Sequence, residues 1–255
     1  MAIIEYEVDG HVAVITINRP DARNAVNGDV ANGIEEAIDR LEADDSLWLG
    51  ILTGVPPVFS AGADLKEINA GRAANLSTKR GGFAGITSRE RSKPIIAAVD
   101  GPALAGGTEI CLSCDMIVAS TTARFGIPEV KRCLVAAGGG LFRLPRKIPF
   151  NIAMELALTG DPIEADRAHH FGLVNYLCEP GQALETAKDL AKRIEANAPI
   201  AVRESRKVIL AAMTEDESTG WRLSAEGMAR AMSSEDMKEG LTAFIEKRPP
   251  NWSGK

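Results

Sequence analysis

Three short apolar runs separated by helical stretches constrain this chain more than any other feature. Leu47-Trp48-Leu49-Gly50-Ile51-Leu52-Thr53-Gly54, Ser92-Lys93-Pro94-Ile95-Ile96-Ala97-Ala98-Val99 and Cys114-Asp115-Met116-Ile117-Val118-Ala119 read as buried strands. A short helix is predicted between the second and the third. Strands alternating with helices favour an α/β fold with parallel pairing. Ahead of them, Ile4, Tyr6 and Val8, then Val12, Val14, Ile15 and Ile17, flank Asp9-Gly10 and predict a β-hairpin. A helix is expected from about Asn27 to Asp44, with Val30, Ile34, Ala37, Ile38 and Leu41 on one face. Residues 69–88 are rich in Gly, Ala, Ser and Asn with weak periodicity, and a mobile segment without regular structure is expected there.

From about Pro149 the pattern turns helical. Residues 152–158 close at Thr159-Gly160, and Ala165 to Phe171 stops at Gly172. After a short strand at Leu173-Val174-Asn175-Tyr176, helices run to the end. Their apolar faces, including Leu223, Met228, Leu241, Phe244 and Ile245, need a surface to cover, and a neighbouring subunit is the expected one.

The totals narrow the function. At 255 residues, with 45% hydrophobic and 25% charged, the chain is long enough for a substantial core. A net charge of −6 argues against a general nucleic-acid or anionic-membrane binder. No stretch reaches the roughly 18 uncharged apolar residues of a membrane helix, and the start lacks the pattern of a signal peptide. A cytoplasmic protein is expected. Cys111-Leu112-Ser113-Cys114 has C-x-x-C spacing, but without a second pair or a nearby His it reads as small buried helix residues. His169-His170 is given no catalytic role. The serine-hydrolase, zinc-protease and P-loop motifs are absent from the sequence.

The chemistry gathers in three segments. Asp100 to Glu109 leaves a strand and enters a helix through Gly106-Gly107, where the backbone can approach a ligand without a Cβ in the way. Unpaired N–H groups at a helix start favour negative charge, so the Gly106 amide is a candidate oxyanion donor. Glu109 lies one turn into that helix. Phe59-Ser60-Ala61-Gly62-Ala63-Asp64 also runs from a strand end towards a helix start, and Ala63 offers a second backbone donor. Glu129 follows the turn Phe125-Gly126-Ile127-Pro128. Two carboxyl groups and two free N–H groups suit work on a carbon beside a carbonyl: a carboxyl moves the proton while the amides hold the oxyanion. Small-residue turns before helices are common, and spacing alone leaves open whether these segments meet.

The run Phe59 to Glu67 resembles the first signature of the crotonase (enoyl-CoA hydratase/isomerase) superfamily. Residues 99–115 resemble the second, and Arg124 to Glu129 resembles the segment bearing a second acid. The likeness extends from Ile17-Asn18-Arg19-Pro20 to Phe244-Ile245-Glu246-Lys247-Arg248-Pro249, essentially the whole chain. It implies a crotonase (ClpP-like) α/β spiral of ββα units over residues 1–195. A C-terminal helical trimerisation region would occupy 196–255, in a homotrimer or a hexamer made as a dimer of trimers.

The resemblance also implies roles. The Ala63 and Gly106 amides would hold the thioester oxygen of an acyl-CoA. Glu109 would act mainly as base on a water that adds to C3 of a 2-enoyl-CoA, and Glu129 would deliver the proton to C2. Coenzyme A would be met by the backbone around Ala25, Ala61, Gly62 and Asp64, with Arg23, Lys66 and a neighbouring subunit's Lys247 as phosphate partners. CoA is then part of the substrate, and no separate cofactor or metal is implied. Having both acids favours hydration over the alternatives, a Δ3-Δ2 enoyl-CoA isomerase using Glu129 alone and a non-catalytic acyl-CoA-binding protein. Residues 130–140 lack the proline usual in fatty-acid hydratases, and Ala105 and Thr108 replace the commoner Gly and Cys. These departures border the acyl pocket and leave the acyl group open.

Overall fold

The opening hairpin provides one edge of the main sheet. In the computed structural model, which describes residues 2–255, β1 (Ile4–Asp9) runs antiparallel to β2 (Val12–Ile17). α1 (Gly28–Ala43) starts where the Asn27 side chain accepts the Val30 N–H at 3.0 Å, an N-cap that satisfies one orphan donor. Its buried residues Val30, Ala31, Ile34, Ala37, Ile38 and Leu41 recur at helical spacing and lie against the sheet. At its far end the Lys93 ammonium, fully buried, donates to the carbonyls of Leu41 and Asp44, both at 2.7 Å. A cation there suits the negative end of the helix dipole.

The remaining elements follow in order. They are β3 (Leu49–Gly54), α2 (Leu65–Asn69), β4 (Ser77–Thr78), β5 (Gly82–Phe83), β6 (Ile95–Val99), β7 (Ala103–Leu104), α3 (Gly106–Ser113), β8 (Met116–Ser120) and β9 (Arg124–Gly126). Then come α4 (Gly140–Lys147), α5 (Phe150–Thr159), β10 (Ile163–Glu164), α6 (Ala165–His170), β11 (Tyr176–Cys178), α7 (Ala183–Glu195), α8 (Pro199–Ala211), α9 (Glu217–Met232) and α10 (Glu235–Glu246).

The main sheet has the order β1-β2-β3-β6-β8-β11, and every pairing after the hairpin is parallel. Ile15, Leu52, Ala97 and Ile117 stand in one register row and belong to the core that α1 covers. Their neighbours Val14, Ile51, Ile96 and Met116 form the next row. Ile51 and Ile96 pack there against Ala183, Ala187, Leu190 and Ala191 of α7. Side chains alternate faces along a strand, so a sheet covered on both sides reads as a continuous apolar run.

A second, smaller layer makes the chain a spiral. Val26 bridges Ala63, Ser60 bridges Ala103, β7 pairs with β9, and β9 pairs with β10. Each turn thus supplies a long strand, a short strand and a helix. Residues 69–88, expected to lack regular structure, instead carry a 3-10 turn and the hairpin β4–β5. The Glu35 carboxylate of α1 accepts from the Gly81 N–H at 2.8 Å and the Thr78 hydroxyl at 2.5 Å. A helix carboxylate ordering a glycine-rich turn is a long-range partner that local periodicity does not carry.

α4, with Pro145 inside it, was not expected. The strand expected at 173–176 begins only at Tyr176, because Asn175 spends both its N–H and its side-chain oxygen on Ile117 at 2.8 Å each. Cys111 and Cys114 are buried and unpaired in and just after α3, and burial pushes the Cys114 thiol up to about 12. Among the described residues no helix is long and apolar enough to cross a membrane.

Candidate active site

The site forms where the short strands hand over to helices. Val26 accepts from the Asp64 N–H at 2.9 Å and donates to the Gly62 carbonyl at 2.7 Å. In a parallel bridge this turns the intervening Ala63 N–H to the opposite side. Gly106 opens α3, so its N–H has no acceptor within the helix. Among the described residues neither N–H meets an acceptor. The two strands touch at Gly62, where a Cβ would stand 2.6 Å from the Gly106 nitrogen. Gly62 also holds φ +84°, so only glycine fits between the two donors.

Ala105, just before α3, is a non-glycine residue at φ +54°. Its N–H donates to the Gly126 carbonyl at 2.9 Å and its carbonyl receives the Glu109 N–H at 3.2 Å. The Thr108 hydroxyl lies 2.7 Å from the Ala103 carbonyl and 2.9 Å from the Gly126 carbonyl, and accepts the Gly126 N–H at 2.9 Å. The helix carrying Glu109 is thereby locked to β7 and β9. Strained backbone of this kind persists only where the surroundings fix it.

Glu109 is buried, and its Oε1 accepts the Gly140 N–H at 2.9 Å. A Cβ on Gly138 would lie 2.6 Å from Oε2, and one on Gly140 would lie 3.1 Å from Oε1. The triple glycine is therefore a cradle for this carboxyl. Burial pushes the Glu109 carboxyl up, and the N–H groups of Gly140 and Gly138 and the Arg143 guanidinium offset this only in part. Glu129, in the 3-10 turn Pro128–Arg132, is pushed to about 6 by burial, with the neighbouring Glu109 charge adding to it. Its Oε2 is buried with no hydrogen-bond partner, which leaves an acceptor for a ligand.

Ala63, Gly106, Glu109 and Glu129 all line one cleft of about 1080 Å³. Arg23, Ala25, Ala61, Asp64 and Lys66 line it too. Gly62 lies buried beneath it, and Lys247, exposed in the left-handed cap of α10, is not part of its own chain's cleft. The Asp64 side chain is engaged elsewhere: it accepts from Arg19 at 2.7 Å and caps α2 through the Lys66 N–H at 2.9 Å. Burial works against its charge, yet those partners hold the carboxyl below the usual range. The basic residues Arg19, Arg23 and Lys66 and the apolar residues Leu76, Phe83, Leu134, Val135 and Phe142 all contribute walls. The Phe83 ring lies 2.4 Å from where a Gly106 Cβ would stand, so it lies directly over the oxyanion corner.

Four features were not assigned from the sequence: the glycine cradle, Arg143, Phe83 and the Arg19–Asp64 pair. Gly138-Gly139-Gly140 was in view, but its partner is 29 or more residues upstream, at Glu109. Among the described residues no cluster of His, Cys, Asp and Glu has the arrangement to hold a metal ion.

Comparison with known proteins bears on the family and the fold. Residues 7–255 match the family model described as enoyl-CoA hydratase/isomerase. The chain is 41% identical over 250 residues to a short-chain-enoyl-CoA hydratase of Clostridium acetobutylicum, covering 95% of this chain and 94% of that protein. It is 39% identical over 252 residues to an enoyl-CoA hydratase of Mycobacterium tuberculosis, covering 96% of this chain and 94% of that one. A crystal structure of an enoyl-CoA hydratase from the same organism superimposes with a TM-score of 0.96 at 47% identity over the full length of both chains. The expected crotonase spiral and its C-terminal helices are therefore present, and the chain belongs to the enoyl-CoA hydratase/isomerase family.

Proposed function

We propose that this chain is an enoyl-CoA hydratase, a hydro-lyase that adds water reversibly across the 2,3 double bond of a 2-enoyl-CoA. The observation that carries the reading is the meeting of two up-shifted carboxyls and two free N–H groups in one cleft. The thioester oxygen sits between the Ala63 and Gly106 N–H groups, which take the negative charge that develops as water adds to C3. Glu109, oriented by Gly140, accepts the proton of that water. Glu129, whose raised pKa of about 6 keeps a fraction of it protonated near neutral pH, delivers a proton to C2. The two carboxyls titrate as a coupled pair.

Coenzyme A then lies along Ala25, Ala61, Gly62 and Asp64, with its phosphates near Arg23 and Lys66. A neighbouring subunit brings Lys247. Residues 1–195 form the acyl-CoA-binding body and 196–255 the oligomerising arm of a homotrimer or a dimer of trimers. Four unpaired thiols suit a reducing compartment such as the cytoplasm.

An isomerase needs only one acid, so the cradle built around Glu109 favours hydration. The direct test follows the conjugated enoyl-thioester absorbance with crotonyl-CoA and longer 2-enoyl-CoAs. Loss of absorbance with formation of the 3-hydroxyacyl-CoA is the expected result. Conversion of a 3-enoyl-CoA without any hydration would replace the reading by the isomerase, and tight acyl-CoA binding with no turnover would replace it by a binding protein.

A further inference from the structure

Arg143 is a half-buried cation with no carboxylate partner. Among the described residues it makes no ion pair. Its guanidinium instead donates to three neutral oxygens on three segments: the Ser113 hydroxyl at 2.9 Å, the Gly138 carbonyl at 3.5 Å and the Thr87 carbonyl at 2.5 Å. Burying a guanidinium without a counter-charge costs stability. Two of the three partners touch Glu109, and the third lines the same cleft. The Ser113 hydroxyl donates to the Glu109 main-chain carbonyl at 2.7 Å, Gly138 lies against the Glu109 carboxyl, and Thr87 lines the same cleft.

We propose that Arg143 is a positioning residue for Glu109, tying the glycine cradle, the end of α3 and the Thr87 wall into one frame around that carboxyl. The kinetic part of this inference rests on the hydratase reading. The cation also favours the ionised form of Glu109, the form a base requires. The other charges facing this pair are few. Glu129 and Arg132 come from the turn after β9, Arg91 from the lead-in to β6, and Arg146 and Lys147 from α4. The Cys114 thiol and Asp115 face it from the end of α3. Burial opposes ionisation of Glu109, and Arg143 is the cation that counters it there, while the Glu109 charge in turn raises Glu129.

Arg143 also lines a second cavity of about 1050 Å³ behind α3, shared with Arg91, Asp115, Lys147 and Arg206. Space on both sides of the guanidinium makes chemical rescue practicable.

The test compares wild type with Arg143→Gln, Arg143→Lys and Arg143→Ala on crotonyl-CoA. For Arg143→Gln the expected kcat is lower by on the order of 10²-fold, the cost of a misplaced catalytic group. KM stays within about twofold, since substrate contacts remain. The acid limb of the pH profile moves to higher pH, because removing a cation raises the carboxyl pKa. Arg143→Lys recovers part of the rate, and added guanidinium ion restores part of it to Arg143→Ala. A second readout does not depend on turnover: the carbon-13 carboxyl signal of Glu109, assigned by its absence in Glu109→Gln, titrates at higher pH in Arg143→Gln. Wild-type enzyme inactive on every enoyl-CoA would sink the hydratase reading but leave this titration as the test of Arg143. A Glu109 titration and pH profile unchanged in Arg143→Gln would overturn the inference, as would a loss that guanidinium ion does not restore.

Discussion

The body and the C-terminal arm of this chain spend their apolar residues in opposite ways. In the body, α3 is buried from Gly106 to Leu112, and the sheet is covered on both faces. In the arm, α8 buries only Pro199, α9 only Leu223 and Gly227, and α10 only Asp236 and Ala243. Trp221 is 72% exposed, Phe244 84% and Ile245 77%. The arm helices are joined by charge pairs, Arg230 to Glu204 and Arg206 to Asp115 of the body, and by the returning tail, whose Trp252 donates to the Ala196 carbonyl at 2.9 Å. The body therefore completes its core within one chain, whereas the arm presents an apolar face that fits the oligomer proposed above. The cleft is lined by the first region alone, and assembly is the role proposed for the second.

The sharpest way to break that division is to change only the arm. Phe244→Ser with Ile245→Ser removes two side chains worth about 1.5–3 kcal/mol each when buried. The expected outcome by sedimentation is dissociation to monomers, with the far-ultraviolet signature of the body kept and affinity for acyl-CoA reduced as Lys247 is withdrawn. Unchanged sedimentation would place the interface elsewhere.

A smaller effect locates the cost of function inside the body. The Glu129 carboxyl is raised in the folded chain from 4.5 to about 6, so folding favours its protonated form. Its favourable contribution is complete below pH 4.5 and is lost as the pH rises through about 6. Glu129→Gln, which cannot ionise, should thus stabilise the fold by about 1–2 kcal/mol at neutral pH, allowing for partial solvent screening. The gain should vanish below pH 4.5. Thermal melts at the two pH values check this, and equal melting temperatures at neutral pH would mean that the carboxyl finds its compensation in the folded state.

Most of the body was legible in the sequence because its signals are local. Apolar runs at strand length, the stripe from Val30 to Leu41 and the glycine stops at Gly160 and Gly172 each follow from neighbours a few positions away. The two N–H donors were legible for a related reason, since N–H groups are freed where a short strand meets a helix start, whereas a shared cleft with Glu109 and Glu129 was implied only by the family resemblance. What stayed hidden depends on partners far along the chain. The hairpin within 69–88 is ordered from Glu35, the glycine cradle is shaped by Glu109, and Arg143 is explained only by Thr87, Ser113 and Gly138. The resemblance assigned the backbone around Asp64 to CoA and said nothing of its side chain, which holds Arg19 and the start of α2.

The most direct test of the acid pair is steady-state hydration of crotonyl-CoA by Glu109→Gln and Glu129→Gln beside the wild type, with folding checked by thermal melts. General acid–base groups contribute about 10²–10⁴-fold each, and the expected result is a fall of at least about 10²-fold in kcat for both variants with both still folded. Retention of near wild-type hydration by a folded Glu109→Gln variant would contradict the account.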